Sequence, residues 1–129
     1  MKLYSIEELN YKSDKMFEYL RQMLESVSDE EKTFTRLMHL GRMLSESGEY
    51  KAACGYQIDT IVHGEIAKAI DTAMGDKVSA SIINKYVTTA CKEWNYLYNS
   101  FDRINAAAAK QMMGIQTMVS YEKSKLNIR

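Results

Sequence analysis

The side chains able to do polar chemistry are few and widely spaced. There are two histidines, His39 and His63, and two cysteines, Cys54 and Cys91. His63 follows Asp59 by four residues, which brings both to one helix face, and Glu65 stands close by. Metal ligation in a di-iron bundle needs Glu-x-x-His on facing helices. That pattern is absent, and no second carboxylate–histidine helix answers His63. His63 is therefore read as satisfied or solvent-facing, and His39, between Met38 and Leu40, has no evident partner. The cysteines form neither a CxxC pair nor a zinc spacing. They read as small apolar core residues in a reducing compartment.

Nucleophilic catalysis needs a serine on a strained turn, and there is no GxSxG elbow. No phosphate-cradling glycine loop or GxGxxG occurs either. Glu7, Glu8, Glu30 and Glu31 are pairs of acids such as an all-α pyrophosphohydrolase uses to hold magnesium. Each pair falls in a first helical turn, where capping and the helix dipole already account for it. The sequence thus assigns no catalytic residue, no metal ligand and no cofactor.

What remains is surface chemistry. Nine tyrosines are present. Trp94, Tyr98 and Phe101 share one helical stripe and read as core, whereas Tyr96, Tyr86 and Tyr121 point elsewhere, free to anchor a protein interface or stack on bases. Lys+Arg and Asp+Glu both number 17, giving zero net charge. The balance is uneven: residues 1–50 carry a net −3 and residues 110–129 a net +3. The basic excess of a duplex-DNA binder is missing. Lys110, Lys123, Lys125 and Arg129 remain candidate contacts to single-stranded nucleic acid, although cations at a helix C-terminus also suit the macrodipole.

The elements that carry these residues are helices. Proline is absent and glycine numbers only six, which leaves backbone N–H groups usable and few hairpin turns. Ser5 and Glu8 form a capping box, flanked by Tyr4 and Leu9 at the hydrophobic-staple positions. Apolar residues then recur from Leu9 to Val27 at helical spacing. A second capping signal, Ser28 with Glu31, opens a helix carrying Phe34, Leu37, Met38, Leu40, Gly41 and Leu44, with its stop at Ser47-Gly48. A third runs from Glu49 to Met74 with Ile58, Ile61, Val62, Ile66, Ala69, Ile70 and Ala73 on one side, interrupted by Gly55 and Gly64 and ended at Gly75-Asp76. The stretch LMHLGRMLSESGEYKAA, with Leu37, Leu40-Gly41, Leu44, Gly48, Tyr50 and Ala53, resembles one tetratricopeptide-type helical hairpin. With about one repeat and no second copy, the resemblance implies a local small-residue hairpin rather than an array.

From Ser79 to Leu126 there is no stop. At 100° per residue, Ile83, Val87, Ala90, Leu97, Phe101, Ala108, Met112, Ile115, Val119 and Leu126 fall within about 60° of Trp94. The stripe keeps the 3.6-residue period rather than the 3.5 of a long zipper. A second strip holds Ile82, Tyr96, Ala107, Met118, Tyr121 and Ile128. Such a helix spans roughly 70 Å, about twice the diameter of a compact domain this size. It must protrude, break near Asn99-Ser100, or be covered.

The expectation is one all-α domain over 1–129, a bundle of four helices at about 5–27, 29–47, 49–74 and 79–126, or five if the last one breaks. The expected function is that of a non-catalytic interaction protein, an adaptor, inhibitor or assembly subunit of bacterial or phage type. It would bind another protein or its own copy through Tyr96, Ala107, Met112, Ile115, Met118, Val119 and Tyr121. An accessory factor for single-stranded nucleic acid is the alternative. No run reaches the ~18 apolar residues of a membrane span, and the N-terminal MKLYSIEELN lacks an apolar signal region, so a cytoplasmic location in the producing or host cell is expected, with no membrane partner.

Overall fold

The computed structural model describes residues 2–73 and 80–127. It consists of α1 (Ile6–Arg21), α2 (Glu30–Ala73) and α3 (Ala80–Asn127). Among the described residues the architecture is all-helical, as expected, but with three helices rather than four or five. The Gly75-Asp76 break, Ser79, Ile128 and Arg129 lie outside the described residues, as do the side chains of Ala69, Ile70 and Ala73.

The start of α1 follows the capping box, with Ser5 Oγ accepting from the Glu8 amide at 3.1 Å. Tyr4 and Leu9 are both buried, as a hydrophobic staple requires. The helix ends at Arg21, six residues short of Val27, when the Gln22 amide closes back on the Tyr19 carbonyl. Asp29, not Ser28, caps α2: its carboxylate accepts from the Lys32 amide at 3.1 Å. Ser28 instead shares a 2.7 Å hydrogen bond with Ser26.

The expected stop at Ser47-Gly48 does not occur, and α2 runs through it for 44 residues. Gly48 does not take the left-handed conformation that ends helices at glycine. Ser47 is fully buried and bonds the Leu44 carbonyl one turn back, so it sits inside the helix instead of capping a new one. The stretch 37–53 is therefore one continuous helical segment and not a tetratricopeptide-like hairpin. Likewise α3 passes Asn99-Ser100 unbroken, with Ser100 Oγ bonded to the Tyr96 carbonyl at 2.9 Å.

The two long helices form an antiparallel hairpin. Gly41 faces Met112, Gly48 faces Asn105 and Gly55 faces Tyr98, so each step of seven residues up α2 matches seven down α3. Lys51 Nζ meets Asp102 Oδ1 at 2.8 Å in the same register. At each of the three levels a glycine on α2 leaves room for a large side chain of α3. A methyl group at Gly55 would lie 3.7 Å from Tyr98, ordinary contact that anything larger would breach. The length of α3 is accommodated by a partner of nearly equal length within the chain. Both helices span roughly 65–70 Å, and the molecule is elongated.

Against this hairpin lies α1, antiparallel to α2. Tyr4 Oη donates to Glu49 Oε1 at 2.7 Å at one end, and Tyr19 Oη pairs with His39 Nδ1 at 3.2 Å at the other. Gln111 Nε2 donates to the Leu20 carbonyl at 2.9 Å and so ties the last turn of α1 to α3. The core gathers where all three helices meet: Leu9, Leu40, Cys54, Leu97, Phe101, Ile104 and Ala108 are inaccessible to solvent. Tyr50 packs its ring edge-on to Tyr4 at 5.1 Å and tilted to Phe101 at 5.3 Å.

Candidate interaction surface

The two apolar strips of α3 meet different fates. Along the main stripe, Leu97, Phe101, Ala108 and Ile115 are buried, and Ile83, Val87, Trp94, Met112 and Val119 are half-buried. Ala90 and Leu126, assigned to the same stripe, are exposed. Met112, Ile115 and Val119 are covered by this chain's own core, since α2 runs antiparallel beside them.

The second strip lies on the side where α1 docks. Its middle is closed: Ser100 is buried, Ala107 is half-buried and Gln111 is bonded to α1. Sixteen residues of α1 span only about 24 Å, a third of the length of α3. Both ends of the strip are left open. Ile82, Tyr86 and Tyr96 are exposed on one side of α1, and Met118 and Tyr121 on the other. Of the seven residues expected at an interface, the structure thus places Tyr96, Met118 and Tyr121 on the surface. Ala107, Met112, Ile115 and Val119 face inward.

Beyond α1 the hairpin continues as an arm two helices thick. Between Gly55 and Ala90 no described residue is fully buried, because two helices cannot enclose each other. Ile58, Ile61, Val62, Ile83 and Val87 face between them and stay half-exposed. Ile66 and Tyr56 add to the exposed apolar surface of the arm. At the opposite end, Phe34 and Met38, which the expected second helix carries, are also exposed. At 100° per residue they stand about 120° and 160° round from Leu40, on the face of α2 turned away from the core.

The candidate polar groups are dispersed. His63 Nδ1 lies 3.0 Å from the backbone carbonyl of Asp59, not its carboxylate. His39 is engaged by Tyr19, edge-on to its ring as well as through Nδ1. Glu7 and Glu8 occupy the first turn of α1, Glu30 and Glu31 that of α2, on separate helix starts. Among the described residues no three of His, Cys, Asp and Glu converge as metal ligands. Cys54 and Cys91 are free and buried. Burial pushes the Cys54 thiol up to about 11, and burial with Glu65 nearby raises that of Cys91.

Lys110, Lys123 and Lys125 are exposed, and Lys125 Nζ sits 4.7 Å from the centre of the Tyr121 ring. Arg129 lies outside the described residues. Near the other end of α1, the Glu49 carboxylate pushes the Tyr4 phenol up to about 12 by accepting its hydrogen bond, with burial and repulsion of the phenolate adding to the shift. No described helix is long and apolar enough to cross a membrane. Compared with known proteins, the chain matches no family, no curated protein and no solved structure.

Proposed function

We propose that this chain is a non-catalytic interaction protein of adaptor, inhibitor or assembly type, working by protein–protein contacts that include self-association. The observation that carries the reading is the short reach of α1 along α3. Ile82, Tyr86 and Tyr96 stand exposed on α3 beyond the end of α1, and large apolar groups left open along one helix suit an interaction site. A second copy is the favoured occupant. Two arms, each two helices thick, complete a four-helix bundle and bury the faces that one arm leaves half-exposed. The setting inferred from the free buried thiols is a reducing cytoplasm, in a bacterial or phage context.

Light scattering over a wide concentration range tests this. A dimer that dissociates on dilution, and that Tyr96→Glu and Ile82→Glu each weaken, is the expected result. A monomer at the highest concentration would overturn the self-association reading.

A second reading, binding of single-stranded nucleic acid, is favoured by one local arrangement: exposed Tyr121 beside Lys123 and Lys125 on the last turns of α3. Binding of a labelled oligonucleotide should then weaken steeply with salt and fall further in a Lys123→Gln/Lys125→Gln double variant. No binding at low salt would remove this reading.

A further inference from the structure

The described part of the molecule holds one guanidinium that is buried without an acid. Arg36 on α2 is 8% exposed. Its hydrogen bond, from Nη2 to Gln111 Oε1, is 2.8 Å long, and that acceptor is a neutral amide. One face of the guanidinium lies over the Tyr19 ring at 4.2 Å. Nε is shut away from solvent with no hydrogen-bond partner. Among the described residues no carboxylate comes within ion-pair distance of Arg36 or of Lys110. A buried charge is normally paired, and an orphaned buried donor calls for an explanation.

Other atoms of the Arg36 side chain border open space. Arg36, Gln111 and Lys110 line a cavity of about 320 Å³ whose other walls are apolar, formed chiefly by Met23, Leu24, Ile115 and Met118. That volume is at the lower end of the range for small-molecule sites, which combine apolar walls with a few placed polar groups. Gly114 also lines it, with nothing within 4 Å of where a side chain would begin, so the cavity is open on that side. Methionines give such walls an adaptable surface.

We propose that this cavity binds a carboxylate carrying an apolar body, with the carboxylate neutralising Arg36 and the body lying among Met23, Leu24, Ile115 and Met118. The planar guanidinium suits a planar carboxylate. Lys110 adds a second, solvent-facing cation at the rim, which favours an anion over a neutral or cationic ligand. Gln111 holds the guanidinium in place because its own amide is anchored to the Leu20 carbonyl. The site is separate from the open surface of the arm and does not depend on self-association.

The test is calorimetric titration of the full chain with sodium decanoate below its micelle concentration, alongside decanol, decylamine and acetate. One decanoate per chain should bind, with decanol at least about tenfold weaker and neither decylamine nor acetate measurable, since a charge-assisted bond and an apolar body are both required. A short peptide ending in Leu-Leu, as free acid and as amide, runs in parallel. Binding of the free acid alone points to a peptide C-terminus as the natural source of the carboxylate, and preference for decanoate points to a free acyl acid. Arg36→Met, which keeps a long apolar stem, should weaken decanoate by about tenfold or more. Gly114→Leu, which fills the cavity from its open side, should abolish binding in a chain that folds at least as well, leucine being the better helix former. Equal binding of decanol and decanoate, no binding of any carboxylate, or undiminished binding by folded Gly114→Leu would each overturn the proposal.

Discussion

Asn105 on α3 reaches across the hairpin to Ser47 on α2: its Nδ2 donates to Ser47 Oγ at 3.1 Å and to the Leu44 carbonyl at 2.9 Å. Ser47 is inaccessible to solvent and bonds the same carbonyl at 3.2 Å. This cluster sits at the level where Gly48 faces Asn105. A polar group at one seam position fixes register, because sliding either helix leaves it buried without a partner. Asn105→Ala should lower the unfolding free energy by about 1–2 kcal/mol. Urea denaturation checks this, with the midpoint moving and the slope unchanged.

The Tyr4–Glu49 pair makes stability depend on alkaline pH. The folded phenol is pushed up from 10 to about 12 because its O–H donates a hydrogen bond to Glu49. Its contribution is fully present below pH 10 and is lost as pH rises towards 12. The phenolate absorbance of the native protein should show one tyrosine ionising well after the exposed ones. In Tyr4→Phe that late step should vanish, and the fall in stability between pH 10 and 12 should become shallower. A native titration identical in wild type and Tyr4→Phe would contradict the assignment.

Cys54 should be inert in the folded state. It is inaccessible, and burial lifts its thiol to about 11, so at pH 8 almost none is thiolate, the reactive form. A chromogenic disulfide reagent should label it only in denaturant. Prompt labelling of Cys54 in a Cys91→Ala background under native conditions would show that the α2–α3 seam opens there.

Glycine at position 64 has a cost without a packing benefit, since a methyl group there meets nothing within 4 Å. Gly64→Ala should stabilise the arm by up to about 1 kcal/mol through helix propensity. Hydrogen exchange of the arm amides, slower in the variant, locates the effect. Gly55→Leu should do the opposite, because Tyr98 occupies the space.

Much of the helical grammar was local and therefore legible. The Ser5 cap, the Tyr4–Leu9 staple, the acidic first turns and the long unbroken α3 all follow from interactions between residues close in the chain. The main stripe of α3 was legible for the same reason: its period alone marks an inward face. The stop at Ser47-Gly48 was misread because serine and glycine look like punctuation until a neighbouring helix shows why small residues are there. The surface residues were only half legible. Periodicity put Tyr96, Met118 and Tyr121 on a second apolar strip, but it could not say how much of that strip α1 would cover.

The sequence by itself determined that this chain is helical, where α1 begins, and that α3 carries two apolar strips. These properties depend on backbone propensity and side-chain phase over a few turns. Tertiary structure decided the rest. It made Gly41, Gly48 and Gly55 a seam against Met112, Asn105 and Tyr98, joined two expected helices into one, and packed Met112, Ile115 and Val119 against the chain's own core. It also left Arg36 buried without an acid. None of these follows from local spacing, because each is set by which distant residue of the chain stands opposite, and that is fixed only when the helices pack.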